Sequence, residues 1–231
     1  MTAVICAVMN REAALRISLA SWLQKPEIDE IIITDWSSTP TLECLAGGRV
    51  TVIRVNGEVI FHKTAASNLA LDYVTSDTVM QLDTDYVLSP YYNIFNLPPP
   101  TDFFYCGRAS HKNTCVYHQH LTGFLYVKTD HLRDINGYNE YMVDWGYEDD
   151  DSFKRLVAAG VKRTVLPFDD NYIFHMLHAE DSRHINRLVK NKHDTRLANK
   201  AVSEDMPYPE RRFKWRVTQV SPNAYVAEKV S

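Results

Sequence analysis

Four apolar, β-prone runs alternate with helix-patterned segments over residues 2–85, and each run stops at a polar or acidic residue. Residues 2–9 (TAVICAVM) form the first, followed by Asn10 and Arg11. Glu12 to Leu23 then places Leu15, Leu19, Trp22 and Leu23 at helical spacing and stops near Pro26. Ile31-Ile32-Ile33 is the second run, ending at Asp35, and Ser37-Ser38-Thr39-Pro40 after it is a capping and turn cluster. Val50 to Val55 is the third run, Lys63 to Tyr73 reads as a helix, and Thr78 to Leu82 is the fourth run, ending in Asp83-Thr84-Asp85. Nearly continuous apolar runs suit strands buried on both faces. Their alternation with helices predicts an α/β fold with a mostly parallel central sheet flanked by helices. Ligands of such sheets bind at the carboxyl ends of the strands. That rule selects Asn10 and Arg11, Asp35 to Ser38, and Asp83 to Asp85.

The second half is less regular. Pro98-Pro99-Pro100 breaks the chain, strands are expected around 103–107 and 124–127, and Asn136-Gly137 signals a turn. A helix is expected from about Asp149 to Ala159, stopped by Gly160, and a strand over 161–166 leads to Phe174-His175-Met176-Leu177-His178. Residues 181–200 are basic and helix-patterned, and the chain from Pro207 is Pro-rich, then β-prone. A length of 231 residues suits one large domain, or one domain with a short appendage. The formal charge of -4 gives no reason to expect a nucleic-acid partner, which calls for a basic face. No apolar run approaches the roughly 20 residues of a membrane-spanning helix. The first residues lack a signal-peptide pattern, there is no N-x-[ST] site, and Cys6, Cys44, Cys106 and Cys115 lack close pairing. The expectation is a cytoplasmic protein with reduced thiols and no transmembrane segment.

Several polar groups carry chemistry. Asp83 and Asp85, two apart at a strand end, suit a hard divalent cation that also takes phosphate oxygens as ligands. His175 and His178 lie three apart late in the chain, so both serve one ion only if the strand turns there. Imidazole beside carboxylates favours manganese over calcium or magnesium. Glu148, Asp149, Asp150 and Asp151 stand where a helix begins; one or two complement the helix dipole, and four exceed that need. Crowded carboxylates raise one another's proton affinity, which suits one of them to general-base work. Lys63 and Asn68 border the helix before Asp83. Arg183, Arg187, Lys190 and Lys192 could close over a diphosphate, although a solvated helix face is the better reading.

Order and spacing together resemble the GT-A-fold glycosyltransferases. The first half is similar to family 2, through Val8-Met9-Asn10-Arg11, Ile33-Thr34-Asp35-Trp36-Ser37-Ser38, Lys63 with Asn68, and Gln81-Leu82-Asp83-Thr84-Asp85. The second half resembles the β-1,4-galactosyltransferases, through Thr122-Gly123-Phe124, Ile135-Asn136-Gly137-Tyr138 and Trp145-Gly146-Tyr147-Glu148-Asp149-Asp150-Asp151. The resemblance implies a Rossmann-like domain over 1–206. Residues 1–95 would be its nucleotide-binding half, 96–206 its acceptor and metal half, and 207–231 a tail or the start of a linker. It implies that Asn10, Arg11, Asp35, Ser37, Lys63, Asn68, Asp83 and Thr84 bind the donor. Asp85 and His178 would be metal ligands, with His175 a further one, for Mn2+ with Mg2+ as the alternative. Asp149 would be the catalytic base of an inverting enzyme, with Trp145, Glu148 and Asp150 on the acceptor. Family members often have two adjacent acids where this chain has Asp35-Trp36, and glycine where it has Tyr147. The partners implied are a nucleotide sugar, usually a UDP-sugar, and a glycan acceptor. A nucleotidyltransferase would carry a Gly-rich basic loop after the first strand, which Ala7 to Arg11 is not. A non-catalytic sugar-binding domain on the same fold is the other alternative.

Overall fold

The computed structural model describes residues 1–113, 117–144, 146–167, 169–177 and 192–230, with the backbone alone at 109–113, 117–119, 169, 170 and 192. The first half runs β1 (Thr2–Val8), α1 (Glu12–Leu23), β2 (Ile28–Trp36), β3 (Val50–Val55), α2 (Lys63–Asp72), β4 (Thr78–Gln81) and β5 (Tyr86–Leu88). The second half runs β6 (Phe103–Cys106), β7 (Ala109–Asn113), β8 (Tyr117–His120), β9 (Leu125–Lys128), α3 (Thr129–Asp134), α4 (Glu148–Ala158), β10 (Lys162–Val165), α5 (Asp169–Tyr172), β11 (Ile173–Met176), α6 (Lys192–Asp205), β12 (Lys214–Ser221) and β13 (Ala224–Val230). Among the described residues the strands form a nine-stranded sheet, ordered β10-β6-β9-β4-β1-β2-β3-β13-β12, and a four-stranded one, β5-β11-β8-β7.

β1 is buried along its whole length because both its faces are covered. Ala3, Ile5 and Ala7 pack with Ala66, Leu69 and Ala70 of α2 and with Phe153 and Leu156 of α4. Val4, Cys6 and Val8 pack on the other side with Leu15, Leu19 and Trp22 of α1. This two-faced burial explains why the first strands read as continuous apolar runs rather than alternating ones. β1 is parallel to β2 and β4, and β2 to β3. In register, Val8 lies opposite Asp35 and Trp36 opposite Val55, so the carboxyl ends of three strands finish side by side. Trp22 anchors α1 to the smaller sheet by donating from Nε1 to the Tyr86 carbonyl at 2.9 Å.

Within the segment expected as a tail or linker, residues 214–230 join the main sheet. β12 and β13 form an antiparallel hairpin, and β13 adds to the main sheet parallel to β3, with Ala224 opposite Val52 and Ala227 opposite Val55. The physical reason is the open edge of β3, whose buried backbone groups require partners. An aromatic group seals the junction: Trp215 meets Trp36 edge-on at 5.8 Å, and Phe213 meets His62 edge-on at 5.2 Å. The two halves read from the sequence also interlock, since β5 pairs with β11, Leu88 opposite Ile173. The basic segment expected to be helical over 181–200 is helical from Lys192, and 178–191 lie outside the described residues.

If the hairpin is part of the folded unit, Trp215→Ala lowers global stability. The half-buried ring gives a loss of about 2 kcal/mol, below the roughly 3–5 kcal/mol of a fully buried one. Urea denaturation measures it, and an unchanged midpoint would show that the hairpin is not coupled to the core.

Candidate active site

α2 begins at Lys63 because His62 caps it, its Nδ1 accepting from the Ala65 N–H at 3.4 Å. Burial, aided by Arg212 and Lys229, pushes the His62 pKa down to about 4. The ring is therefore neutral near pH 7, as an accepting nitrogen requires. The cap aims Lys63 into a cluster of acids. Its Nζ lies 3.1 Å from Asp83 Oδ1, 3.5 Å from Glu148 Oε1 and 3.5 Å from Asp149 Oδ1. Burial by itself lowers the Lys63 pKa, but Asp149, Asp83 and Glu148 outweigh it, and the net shift is upward. Lys63 therefore stays charged. Burial pushes the Asp149 carboxyl well above the usual aspartate range; Lys63 opposes this, while Glu148, Asp83 and Asp150 add to it. Glu148 Oε2 is buried in the same place with no hydrogen-bond partner among the described residues.

Gly123 closes over this cluster. A Cβ there would come within 2.6 Å of Asp83 Oδ2 and 3.3 Å of Lys63 Nζ, so a larger residue would push the Asp83 carboxylate aside. Its N–H donates to the Tyr86 hydroxyl at 3.3 Å.

A second group stands beside it. Asp85 Oδ2 is 3.1 Å from Arg11 Nη2 and 3.4 Å from His175 Nε2. The strand pairing that sets His175 opposite Tyr86, with the Met176 N–H on the Asp85 carbonyl at 2.9 Å, brings these residues from distant parts of the chain. His175 also packs edge-on against Tyr86 at 5.1 Å. Among the described residues no three His, Cys, Asp or Glu side chains form a metal-holding group. His178 and Trp145 lie outside the described residues.

The remaining expected donor residues divide by their partners. Asp35 is fully buried; Oδ1 accepts from the Ser38 N–H at 3.0 Å, and Oδ2 accepts from Leu42 N–H at 3.1 Å and Arg54 at 2.6 Å. Asn10 and Ser37 have left-handed backbones, φ 54 and 58. The Asn10 side chain accepts from the Thr39 N–H at 2.7 Å, and the Ser37 hydroxyl accepts from the Glu58 N–H at 2.9 Å. These three residues thus shape the loop at the strand ends. Thr84 is buried, and its carbonyl accepts from the Ser18 hydroxyl at 2.8 Å. Asn68 stands apart. Its amide donates to the Tyr138 carbonyl and to Glu140 at 2.8 Å each, and its oxygen accepts from the Tyr138 N–H at 2.7 Å. Gly137 permits that approach, because a Cβ there would be 2.3 Å from the Asn68 oxygen. Asp150 points away from Lys63 and pairs with Arg196 at 3.2 Å. Glu140, not singled out in the sequence, is buried and accepts from the Arg212 and Phe213 N–H groups at 2.7 and 2.8 Å, tying the C-terminal hairpin to α2.

Two family profiles divide this chain. Residues 3–97 match Glycosyl transferase family 2, and residues 104–179 match the N-terminal domain of galactosyltransferase. No curated protein matches the sequence. Among solved structures the chain is similar to the catalytic domain of Drosophila beta1,4-galactosyltransferase 7 in complex with xylobiose, with TM-score 0.64 and 15% identity over 99% of this chain and 93% of that one. A second structure of the Drosophila protein, holding manganese, UDP-Gal and xylobiose, gives TM-score 0.63 at 15% identity, over 99% and 93% of the two chains. A mannosyltransferase from Pyrobaculum calidifontis in complex with GDP-Man and Mn2+ gives 0.55 at 16% identity, over 72% of this chain and 55% of that one. At such identities the structural likeness is one of fold. With the two profiles, it makes the chain a glycosyltransferase of the GT-A fold.

Removal of the Lys63 charge leaves three carboxylates facing one another in a part-buried site. Lys63→Met therefore destabilises the protein at pH 7 by about 3 kcal/mol, the scale for breaking a buried pair. Without the ammonium the Asp149 carboxyl, already held above the usual aspartate range by burial, rises further. Its protonation then relieves the repulsion as pH falls through that raised value, so the deficit is smaller at pH 5 than at pH 7. Urea denaturation at both pH values measures this, and an equal deficit at both would contradict it.

Proposed function

We propose that this glycosyltransferase transfers a sugar from a UDP-sugar to a hydroxyl of a glycan acceptor, with inversion at the anomeric carbon and with a divalent cation. The observation that carries this reading is the buried cluster in which Asp83, from the strand-end D-x-D, and Asp149, from the first turn of α4, share the Lys63 ammonium. Asp149 suits the base. Its raised proton affinity brings it nearer the operating pH, where a general base is most effective, and Lys63 limits the rise.

Asp85 and His175 fit a divalent cation. Their Oδ2 and Nε2 are 3.4 Å apart, an oxygen and a nitrogen that together suit Mn2+, with Mg2+ as the alternative and diphosphate oxygens completing the ligands. His178 remains the further ligand implied by the family resemblance. Bound there, the cation would neutralise charge on the leaving diphosphate. Arg11, 3.1 Å from Asp85, brings a fixed positive charge to the same place. Asn10, Asp35 and Ser37 hold the loop that would receive the nucleotide. Glu148 would orient the acceptor, as would Trp145.

The reaction is a single displacement. The acceptor oxygen bonds to the anomeric carbon as the bond from that carbon to the UDP oxygen breaks. UDP leaves with the electron pair, and the hydroxyl proton passes to Asp149. The manganese and UDP-Gal held by the Drosophila protein support this choice of donor and ion.

Asp149→Asn keeps the shape and removes the base. This variant should bind UDP and manganese about as well as the parent while transfer falls by roughly 10²–10⁴-fold. Titration calorimetry reports the binding and a transfer assay the rate. Near-parental transfer would place the base elsewhere, and a collapse of UDP binding would make Asp149 structural.

The base must be ionised to act, so kcat/KM should fall as pH drops through the raised Asp149 pKa. The acid limb should therefore lie above the roughly 3.9 of a free aspartate. Chelation of divalent ions should abolish transfer; full activity in chelator would remove the cation from the mechanism.

A further inference from the structure

The outward face of α4 carries a charged cavity that the transfer chemistry leaves unused. Tyr147, Asp150, Lys154, Arg163, Arg196 and Lys200 line an open cleft of about 380 Å³ between α4, α6 and the edge strand β10. Four of the six are cations. Asp150 lies 3.2 Å from Arg196, and Glu204 lies 3.5 Å from Lys200 in α6. Among the described residues neither Lys154 nor Arg163 has a carboxylate within 4 Å, so the cleft keeps an excess of positive charge.

Its walls are held in place. Arg163 lies over the Phe153 ring at 5.0 Å and donates from Nε to the Cys106 sulfur at 3.1 Å. Tyr147 has a left-handed backbone, φ 77, and its ring sits beneath two cations, Lys154 at 4.8 Å and Arg196 at 5.5 Å. Lys154 also donates to the Tyr147 hydroxyl. Tyr147 is one of the residues where this chain departs from the glycine common among the galactosyltransferases it resembles. Gly146 beside it allows the approach of α6, since a Cβ there would be 3.1 Å from Arg196 Cβ.

We propose that this cleft is an acceptor subsite for an anionic group, a carboxylate or a phosphate, so that the glycan acceptor is acidic. The acceptor assignment rests on the transferase reading; the anion site does not. Two observations favour acceptor over donor. The cleft shares Tyr147 and Asp150 with the turn that carries Asp149. It also lies at the β10 edge of the sheet, whereas Arg11, Asp85 and His175 stand at the ends of β1 and β4 and on β11. Two arginines offer planar forks that match either anion, and the exposed lysines add charge.

The test is equilibrium binding of trigalacturonic acid, of glucose 6-phosphate and of neutral maltotriose, by titration calorimetry at about 20 mM and about 200 mM salt, a range over which exposed charges become strongly screened. The parent should bind at least one acidic probe tenfold or more tightly than maltotriose, and the tighter of the two identifies the anion. Lys154→Gln/Lys200→Gln, checked by circular dichroism and melting for an intact fold, should lose about tenfold for that probe, about 1.4 kcal/mol, and nothing for maltotriose. The high-salt titration should narrow the difference. Single Lys200→Glu provides a second variant should the double one not fold, with at least the same loss. Acidic probes that bind no more tightly than maltotriose overturn the proposal and leave the transferase reading as it was. An equal loss of UDP binding in the variants also overturns it, because the cations then serve the donor. If acidic binding behaves as expected but no nucleotide sugar yields transfer, the anion site stands and the transferase reading fails.

Discussion

The Lys63 ammonium, nearly removed from water among Asp83, Glu148 and Asp149, is the interaction on which the rest of the site depends. A largely buried cation without partners costs several kcal/mol, and three crowded acids without a cation repel one another. Each side is tolerable only because the other is present. The acids come from a strand end in the first half and a helix in the second, so this one charge joins both halves of the chain. Gly123 shows how tightly the arrangement is closed, since even a methyl group there would strike Asp83.

The sheet supplies the geometry that makes such convergence possible. Parallel strands that end in register present their terminal residues on one rim, and α2 and α4 deliver Lys63 and Asp149 to that rim from one side of the sheet. The smaller sheet contributes differently. The antiparallel pairing of β5 with β11 places His175 beside Asp85, so a carboxylate and an imidazole separated by 90 positions meet. The hairpin β12–β13 and the Asn68–Glu140 hydrogen bonds brace the far side of α2, and so fix where Lys63 points. The braced helix is thus the one that carries Lys63.

Legibility in the sequence followed periodicity. The helix at Glu12–Leu23 and the strand at Val50–Val55 were readable because burial leaves a clear apolar pattern. The hairpin was not, because β12 is largely exposed and its order comes from pairing with β13, which in turn meets β3. Residue identities at the site were also readable, but partners were not. Asn68 falls where the family has a donor contact, yet a buried amide must satisfy all its hydrogen-bonding groups, and here Tyr138 and Glu140 do so. Asp149 and Asp150 look alike in a row of acids; a turn of about 100° on the helix sends one to Lys63 and the other to Arg196. No local signal marks Glu140, whose role exists only once the hairpin has docked. Gly123 was visible only as part of a motif, and its steric reason is tertiary.

The central claim is that one direct displacement occurs at the Lys63–Asp149 cluster, and stereochemistry tests it most directly. Parent enzyme, manganese, an α-linked UDP-sugar and an accepted glycan would be followed by proton NMR from the first turnovers. The account predicts a product that is β-linked from the outset. An α-linked product would contradict it, because retention requires either two displacements or front-side attack, and neither uses Asp149 as the base that activates the acceptor.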